Sequence, residues 1–375
     1  MTIYDDLGIR RVLNADARLT RLGGSLMPDE VRWAMDAAAR SYVDIVELHD
    51  AVGKRLAALT RNDAACVTTG AAAGLTLATL ACMTGNDPVA IARMPDRPGL
   101  PSKIVYQRPH RIPYLPSVAL AGATLVEIGV EPEVHPVELE LAIDADTAAV
   151  LFVAGEHLAE GALPLAEVVQ IAHARSVPVI VDGAAQLPPP ENLWRYTREQ
   201  GADLAIFSGG KDLRGPQASG LVVGRPDLVA AIRQHGSPNP RLGRSMKVGK
   251  EEMAGLLAAV ERYLAEDHLA RIAGYEADVA GWVAAFSAVP GVRAEREFPN
   301  EAGQPMPRCR VILDGRAATS RRDAVVRALW EGDPRVAVKA AGDDAISLTP
   351  DTLEPGEAAT VRDRVVLALY ASFPS

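Results

Sequence analysis

Between about residues 50 and 245, short apolar runs alternate with longer stretches in which apolar residues recur every three or four places. The runs are "AACVTTG" (64–70), "PVAIARM" (88–94), "KIVYQRP" (103–109), "TLVEIG" (124–129), "AAVLFVAG" (148–155), "VPVIVDGA" (177–184), "LAIFSGG" (204–210) and "GLVVG" (220–224). Most are short and β-rich, which predicts strands buried on both faces. Between two of them, "LPLAEVVQIAHARS" places Leu165, Val168, Val169 and Ala172 at helical spacing. Strands alternating with helices predict an α/β domain built on a mainly parallel sheet with helices on both sides.

The pattern changes at "SPNPRLGRSMKVGK" (237–250), where Pro, Gly and Arg replace the apolar runs, so the sheet domain is expected to end near here. Next, "EEMAGLLAAVERYLAEDHLARI" puts Met253, Leu256, Leu257, Val260, Tyr263 and Leu264 on one face, predicting a single long helix that joins two domains. Strands at "CRVILDG" and "AISLTP", with helices at "RRDAVVRALWEG" and "GEAATVRDRVVLALYASF", complete a small α+β domain. The expected organisation is an N-terminal arm and helix over 1–48, a large domain over 49–245, and a linker helix with a small domain over 246–375.

Composition narrows the function classes. The 375 residues are 48% apolar and 23% charged, near globular averages, so an ordinary folded protein is expected. The net charge of −9, with no basic run long enough to track a phosphate backbone, argues against nucleic acid as a partner. No stretch approaches the roughly 18 apolar residues of a spanning helix, and "MTIYDDLGIR" lacks the parts of a signal peptide, so the chain is read as cytoplasmic and not bound to a membrane. Cys66, Cys82 and Cys309 form no CxxC pair, and the seven histidines are scattered; neither a disulfide framework nor a metal site is expected.

Three features fall at ends of predicted strands, where open α/β sheets place their ligand crevice. In "TTGAAAGL", Thr68, Thr69 and Gly70 close a strand and open a helix, so two hydroxyls and unpaired N–H groups are available to a phosphate; a strand-to-helix turn needs small residues in any case. In "VIVDGAAQ", Asp182 ends a buried strand, either capping a loop or facing a protonated heterocycle nitrogen, with Ala184 small enough to lie under a flat ring. In "IFSGGKDLRGPQASG", Lys211 follows a strand among Ser208, Gly209, Gly210 and Gly215, which suit the approach of something flat. A catalytic amine needs a lowered pKa or an electrophile such as an aldehyde; the alternative is an exposed loop lysine. Together, a phosphate turn, a strand-end acid and a strand-end lysine match what pyridoxal 5′-phosphate requires.

With these residues in view, the chain resembles fold type I pyridoxal-phosphate enzymes, in particular the group similar to L-seryl-tRNA(Sec) selenium transferase and D-glucosaminate-6-phosphate ammonia lyase. The resemblance runs over most of the chain, through "NADARLTRLGGSLMPDEV", "AACVTTGAAAGLTLA", "VPVIVDGAAQLPP", "SGGKDLRGPQASGLVVGR" and "MKVGKEE". It implies that Lys211 forms the Schiff base and acts as general base, that Asp182 partners the pyridine nitrogen, and that His110 in "YQRPH" stacks on the cofactor. It further implies a cofactor site made of Thr68, Thr69, Gly70, Ala71, Ala184, Gln186 and Ser208, completed by a second copy of the chain in a homodimer.

The implied reaction is removal of the Cα proton from an amino acid or amino-sugar acid, followed by α,β-elimination and release of ammonia. A racemase or epimerase is the alternative within the cofactor class, and a catalytically degenerate binding or regulatory subunit the alternative outside it. Selenium transfer on tRNA is discounted because the acidic chain offers no broad basic surface. Candidate substrate-binding residues are Arg18 and Arg21 in the divergent "NADARLTRLGGS", Gln217 in "RGPQ", and Arg244 and Lys247 in "RLGRSMKVGK", with Arg308, Arg310 and Arg335 as weaker carboxylate partners. For Arg18 the alternative is an ion pair with Asp16.

Overall fold

The computed structural model describes residues 2–96, 98–315 and 318–372. Its strands are β1 (Val12–Asn14), β2 (Ala64–Thr68), β3 (Lys103–Gln107), β4 (Thr124–Ile128), β5 (Thr147–Val153), β6 (Val179–Asp182) and β7 (Leu204–Ser208). They continue with β8 (Gly220–Gly224), β9 (Val292–Glu297), β10 (Arg308–Leu313), β11 (Arg335–Ala337), β12 (Lys339–Ala341) and β13 (Ala345–Leu348).

Seven strands make one sheet in the order β2-β8-β7-β6-β5-β3-β4. Strand β8 runs antiparallel to both neighbours and the other pairs are parallel, so β2 points the same way as β7, β6, β5, β3 and β4. Successive side chains alternate between faces, and both faces are apolar. Val179, Val181, Ala205 and Phe207 join one core with the helices Ile45–Leu59, Leu165–His173 and Lys250–Ala265; Ile180, Leu204, Ile206 and Val222 join another with Ala71–Thr84 and Pro226–His235. Burial on both sides is why the strands read as continuous apolar runs.

Three expectations are corrected. "PVAIARM" forms a helix, Pro88–Arg93, because Asp87 accepts the Val89 N–H at 2.8 Å and Pro88 sits at the first helical position, where its missing donor costs nothing. The long helix over 251–272 is two helices, Lys250–Ala265 and His268–Ser287; Glu266 is extended and Asp267 starts the second by accepting the Ala270 N–H at 2.9 Å.

The domain limits move as a result. One unit comprises 27–266 with 301–303; the other comprises 1–26, 267–300 and 304–375. Met253, Leu256, Val260 and Tyr263 lie in the core of the sheet unit, which carries its boundary past 245 to 266. Residues 1–26 join the smaller unit because β1 pairs in parallel with β11 and the Thr349 N–H donates to the Ala15 carbonyl at 2.9 Å. That unit has an antiparallel sheet, β12-β13-β10-β9, and a core of Trp282, Phe286, Val311, Leu329, Val361 and Val365.

Candidate active site

Thr68 at the end of β2 and Ser208 at the end of β7 both pair with Gly220 at the start of β8, so the three share one row at the sheet edge. Beyond Thr68 the chain turns at Gly70, with φ of +89°, a conformation that favours glycine, and enters the helix Ala71–Thr84. The Thr68 hydroxyl donates to the Gly70 carbonyl at 2.9 Å, so it braces the turn. No side chain caps this helix, which leaves its first N–H groups for an anion. Gly74 lies close beneath Ile206 and Val222, which explains part of the small-residue text "GAAAG" by packing alone.

Asp182, the last residue of β6, is buried and registers with Val153 on β5 and Ile206 on β7. Its Oδ1 accepts the Ala184 N–H at 3.0 Å. Burial raises its pKa, opposed by that hydrogen bond and by the positive charge of Lys211. Ala184 is half-buried, and Gln186 is buried against Gly155. His110, in a short turn after β3, is buried and accepts the Val153 N–H on Nδ1 at 3.3 Å. Phe152 meets its ring edge-on, with centroids 4.5 Å apart and planes at 78°. Burial pulls the imidazole down to about 4, so it is neutral at pH 7.

The segment from Ser208 to Ser219 folds onto itself. The Gly209 N–H donates to the Ser219 carbonyl at 2.9 Å, the Gly215 N–H to the Gly209 carbonyl at 2.8 Å, and the Ser219 hydroxyl to the Pro216 carbonyl at 2.6 Å. A Cβ on Gly210 would stand 2.5 Å from the Gln217 Cα, and one on Gly209 would stand 2.1 Å from the Ser219 hydroxyl. These glycines are therefore required by the loop's own closure. Asp212 and Leu213 are buried and anchor the loop, and Lys211 beside them is half-buried.

The substrate candidates are dispersed. Gln217, Arg244 and Lys247 are exposed in the sheet unit. In the smaller unit, Arg18 pairs with Asp351 at 2.5 Å, with side chains only 11% and 8% exposed, and Arg21 pairs with Asp16 at 2.7 Å. The expected alternative of an Asp16–Arg18 pair is thus replaced by two separate pairs. Arg310 faces Glu297 at 3.4 Å, and Arg335 donates to the Trp330 carbonyl at 2.8 Å. Phe152, Val153 and Gly220 were missed from the sequence; only their adjacency to named strand ends signalled them.

The L-seryl-tRNA selenium transferase family matches residues 14–274. The chain belongs to this family. A 5′-C-glycyluridine monooxygenase-decarboxylase of a Streptomyces species is 36% identical over 89% of this chain and 83% of its own. The D-glucosaminate-6-phosphate ammonia lyase of Salmonella typhimurium is 32% identical over 97% of this chain and 96% of its own. A solved D-glucosaminate-6-phosphate ammonia-lyase superposes with a TM-score of 0.86 at 30% identity, covering 99% of both chains. A serine palmitoyltransferase of S. paucimobilis, at 14% identity and a TM-score of 0.61 over 96% of this chain and 87% of its own, shares the fold.

Membership of the selenium transferase family makes the chain a fold type I pyridoxal-phosphate enzyme. The residues fit that cofactor on their own terms. A carboxylate buried like Asp182 needs a cation, uncapped N–H groups after Gly70 suit a phosphate, and Lys211 lies near enough to Asp182 to oppose its shift.

Proposed function

We propose that this protein is a pyridoxal-phosphate lyase that removes the Cα proton of an amino acid or amino-sugar acid, eliminates a β-substituent and releases ammonia. The observation carrying the proposal is the pair of Asp182, buried at a strand end, and Lys211, whose charge acts on it. The family relation to an ammonia lyase along 97% of the chain supports it.

When bound, the cofactor supplies an electron sink at Cα. Asp182 would hold the pyridine nitrogen as an ionised partner, and the N–H groups after Gly70, with Thr69, Ala71 and Ser208, would hold the phosphate. Lys211 would anchor the cofactor through its Nζ and, as a free amine, would take the Cα proton of the substrate. The β-substituent departs with the electron pair that the C–H bond leaves behind; water then replaces nitrogen at Cα, giving a 2-oxo acid and ammonia.

The test is spectroscopic. The purified protein should show an absorbance band near the visible edge that borohydride fixes onto Lys211, and absence of the band sinks the proposal. Amino acids and amino-sugar acids of both hands should then be screened for 2-oxo acid and ammonia. Solvent deuterium entering Cα without ammonia would instead assign a racemase. The 36% identity to the Streptomyces enzyme favours a second reading, oxygen-dependent decarboxylation of an amino acid, which carbon dioxide release with oxygen uptake would identify.

We further propose that the chain forms a cytoplasmic homodimer. No described helix is long and apolar enough to cross a membrane. Trp33, Tyr42, Val43 and Val46 are exposed in the sheet unit, an apolar surface suited to a second copy. Light scattering that returns a monomer mass of 39.7 kDa would refute the dimer.

A further inference from the structure

Strand β2 ends the large sheet, and among the described residues no strand pairs with its outer side. On either side of β8 the Ser219 carbonyl accepts from Gly209 and the Arg225 N–H donates to Asp203, so odd-numbered residues there bond toward β7 and even-numbered ones toward β2. Gly220, Val222 and Gly224 therefore bond to Thr68, Cys66 and Ala64, and the N–H and C=O of Ala65 and Val67 point outward. The helix Ile45–Leu59 covers Ala65: a Cβ on Gly53 would stand 2.5 Å from the Ala65 carbonyl oxygen. At Val67 lies a cavity of about 340 Å³, walled by Val248 from one core of the sheet and by Leu77, Ile232 and Met246 from the other. His49 lines the same cavity; it is 7% exposed, and among the described residues neither of its ring nitrogens has a hydrogen-bond partner.

A buried imidazole with two idle nitrogens costs free energy until something occupies them. Burial, helped by the charge of Arg233 and opposed by Asp50, pulls the ring down to about 4, so at pH 7 it is neutral, one nitrogen donating and the other accepting. Arg233, the cation on the wall, is already held by Asp50 and by the Val46 carbonyl, which leaves no spare charge for an ion. The cavity thus offers a donor and an acceptor on His49, a donor and an acceptor on Val67, and apolar walls, at a size within the roughly 300–1,000 Å³ of small-molecule sites. We propose that it binds a small uncharged ring of the cyclic imide or ureide kind, whose adjacent N–H and C=O pair with Val67 and whose second C=O takes the His49 N–H. Neither Lys211 nor Asp182 lines the cavity, so the proposal stands apart from the cofactor reading.

The test titrates the full chain, labelled with nitrogen-15, with glutarimide. The NMR signals of the Val67 amide and of the His49 ring nitrogens, assigned through V67I and H49N, should move together along one saturating curve. N-methylglutarimide, which lacks the N–H, should bind about tenfold or more weakly because it leaves the Val67 carbonyl unpaired. H49L should weaken glutarimide by a similar factor, and H49N, whose amide keeps a donor and an acceptor, should recover most of it. Equal affinity for the two imides would overturn the proposal, as would no movement at Val67 and His49, the result expected of a cavity that holds water alone. His49 signals that respond to protein concentration and not to the imide would assign the cavity to a second copy of the chain and overturn it too. The comparison of the two imides is made on the unaltered protein, so it decides the matter even where H49L fails to fold.

Discussion

Gly220 offers the sharpest test of how the sheet edge builds the site. It sits between Thr68 and Ser208, and a Cβ there would stand 2.5 Å from the Gly70 carbonyl carbon, 2.7 Å from its oxygen and 2.8 Å from the Ala71 nitrogen. All three atoms are backbone, so no rotamer change relieves the clash. Ordinary contact begins at 3.4 Å, so in G220A the turn at Gly70 or the start of β8 must retreat by about 0.9 Å. Overpacking of this kind costs about 1–3 kcal/mol, and a displacement near 1 Å of a positioning group costs on the order of a hundredfold in rate. G220A should therefore lower the unfolding midpoint in urea and weaken cofactor binding roughly ten- to a hundredfold in an absorbance titration. G281A is the control: its Cβ meets nothing within 4 Å inside the helix His268–Ser287, and Ala there should add about 0.8–1 kcal/mol. A G220A protein with normal cofactor affinity and normal stability would refute the claim that this row shapes the phosphate turn.

Asp182 should destabilise the cofactor-free protein when ionised. Its raised pKa means its stabilising contribution is complete below the unfolded value of about 3.9 and is lost as pH rises through the folded value, so cofactor-free D182N should exceed the parent at pH 7.5 and match it below about pH 4, while binding cofactor more weakly. Burial draws His49, His110 and His235 down to about 4 from an ordinary 6.5, so the stability they contribute is present above 6.5 and drains away as pH falls toward 4, by up to about 1.4 kcal/mol per pH unit for each. Denaturation curves at pH 7, 6 and 5 would check this, and H235N should flatten the slope. R18M should cost about 3–5 kcal/mol by stranding Asp351, with R18M/D351N recovering much of it; normal stability combined with weaker substrate binding would return Arg18 to the substrate.

The strand ends were legible because a buried parallel strand must be apolar, so the first polar residue after it, such as Asp182 or Ser208, marks the edge. The nature of the Lys211 loop was less so: its glycines pack on Ser219 and Gln217 in the same loop, and composition does not distinguish closure from ligand access. "PVAIARM" misled because its apolar content outweighed the Asp-Pro start signal, and the long helix because its apolar face continues across an Asp267 cap. The Arg18–Asp351 pair joins residues more than 300 positions apart, and no local pattern announces such a partner. The hydrogen bond that His110 accepts from Val153 depends on where β3 stops relative to β5, a matter of register that residue type does not announce.

The pairing of β1 with β11 also sets an order of events during synthesis. Arg335 follows its partner Val12 by 323 residues. At about 5–20 residues per second that is a wait of roughly 15–65 s. Until then β1 lacks its partner strand, while the sheet unit through Glu266 has been made 69 residues earlier. The smaller unit therefore closes around β1 only after the sheet unit has been made, when Arg335–Ala337 supply its partner strand.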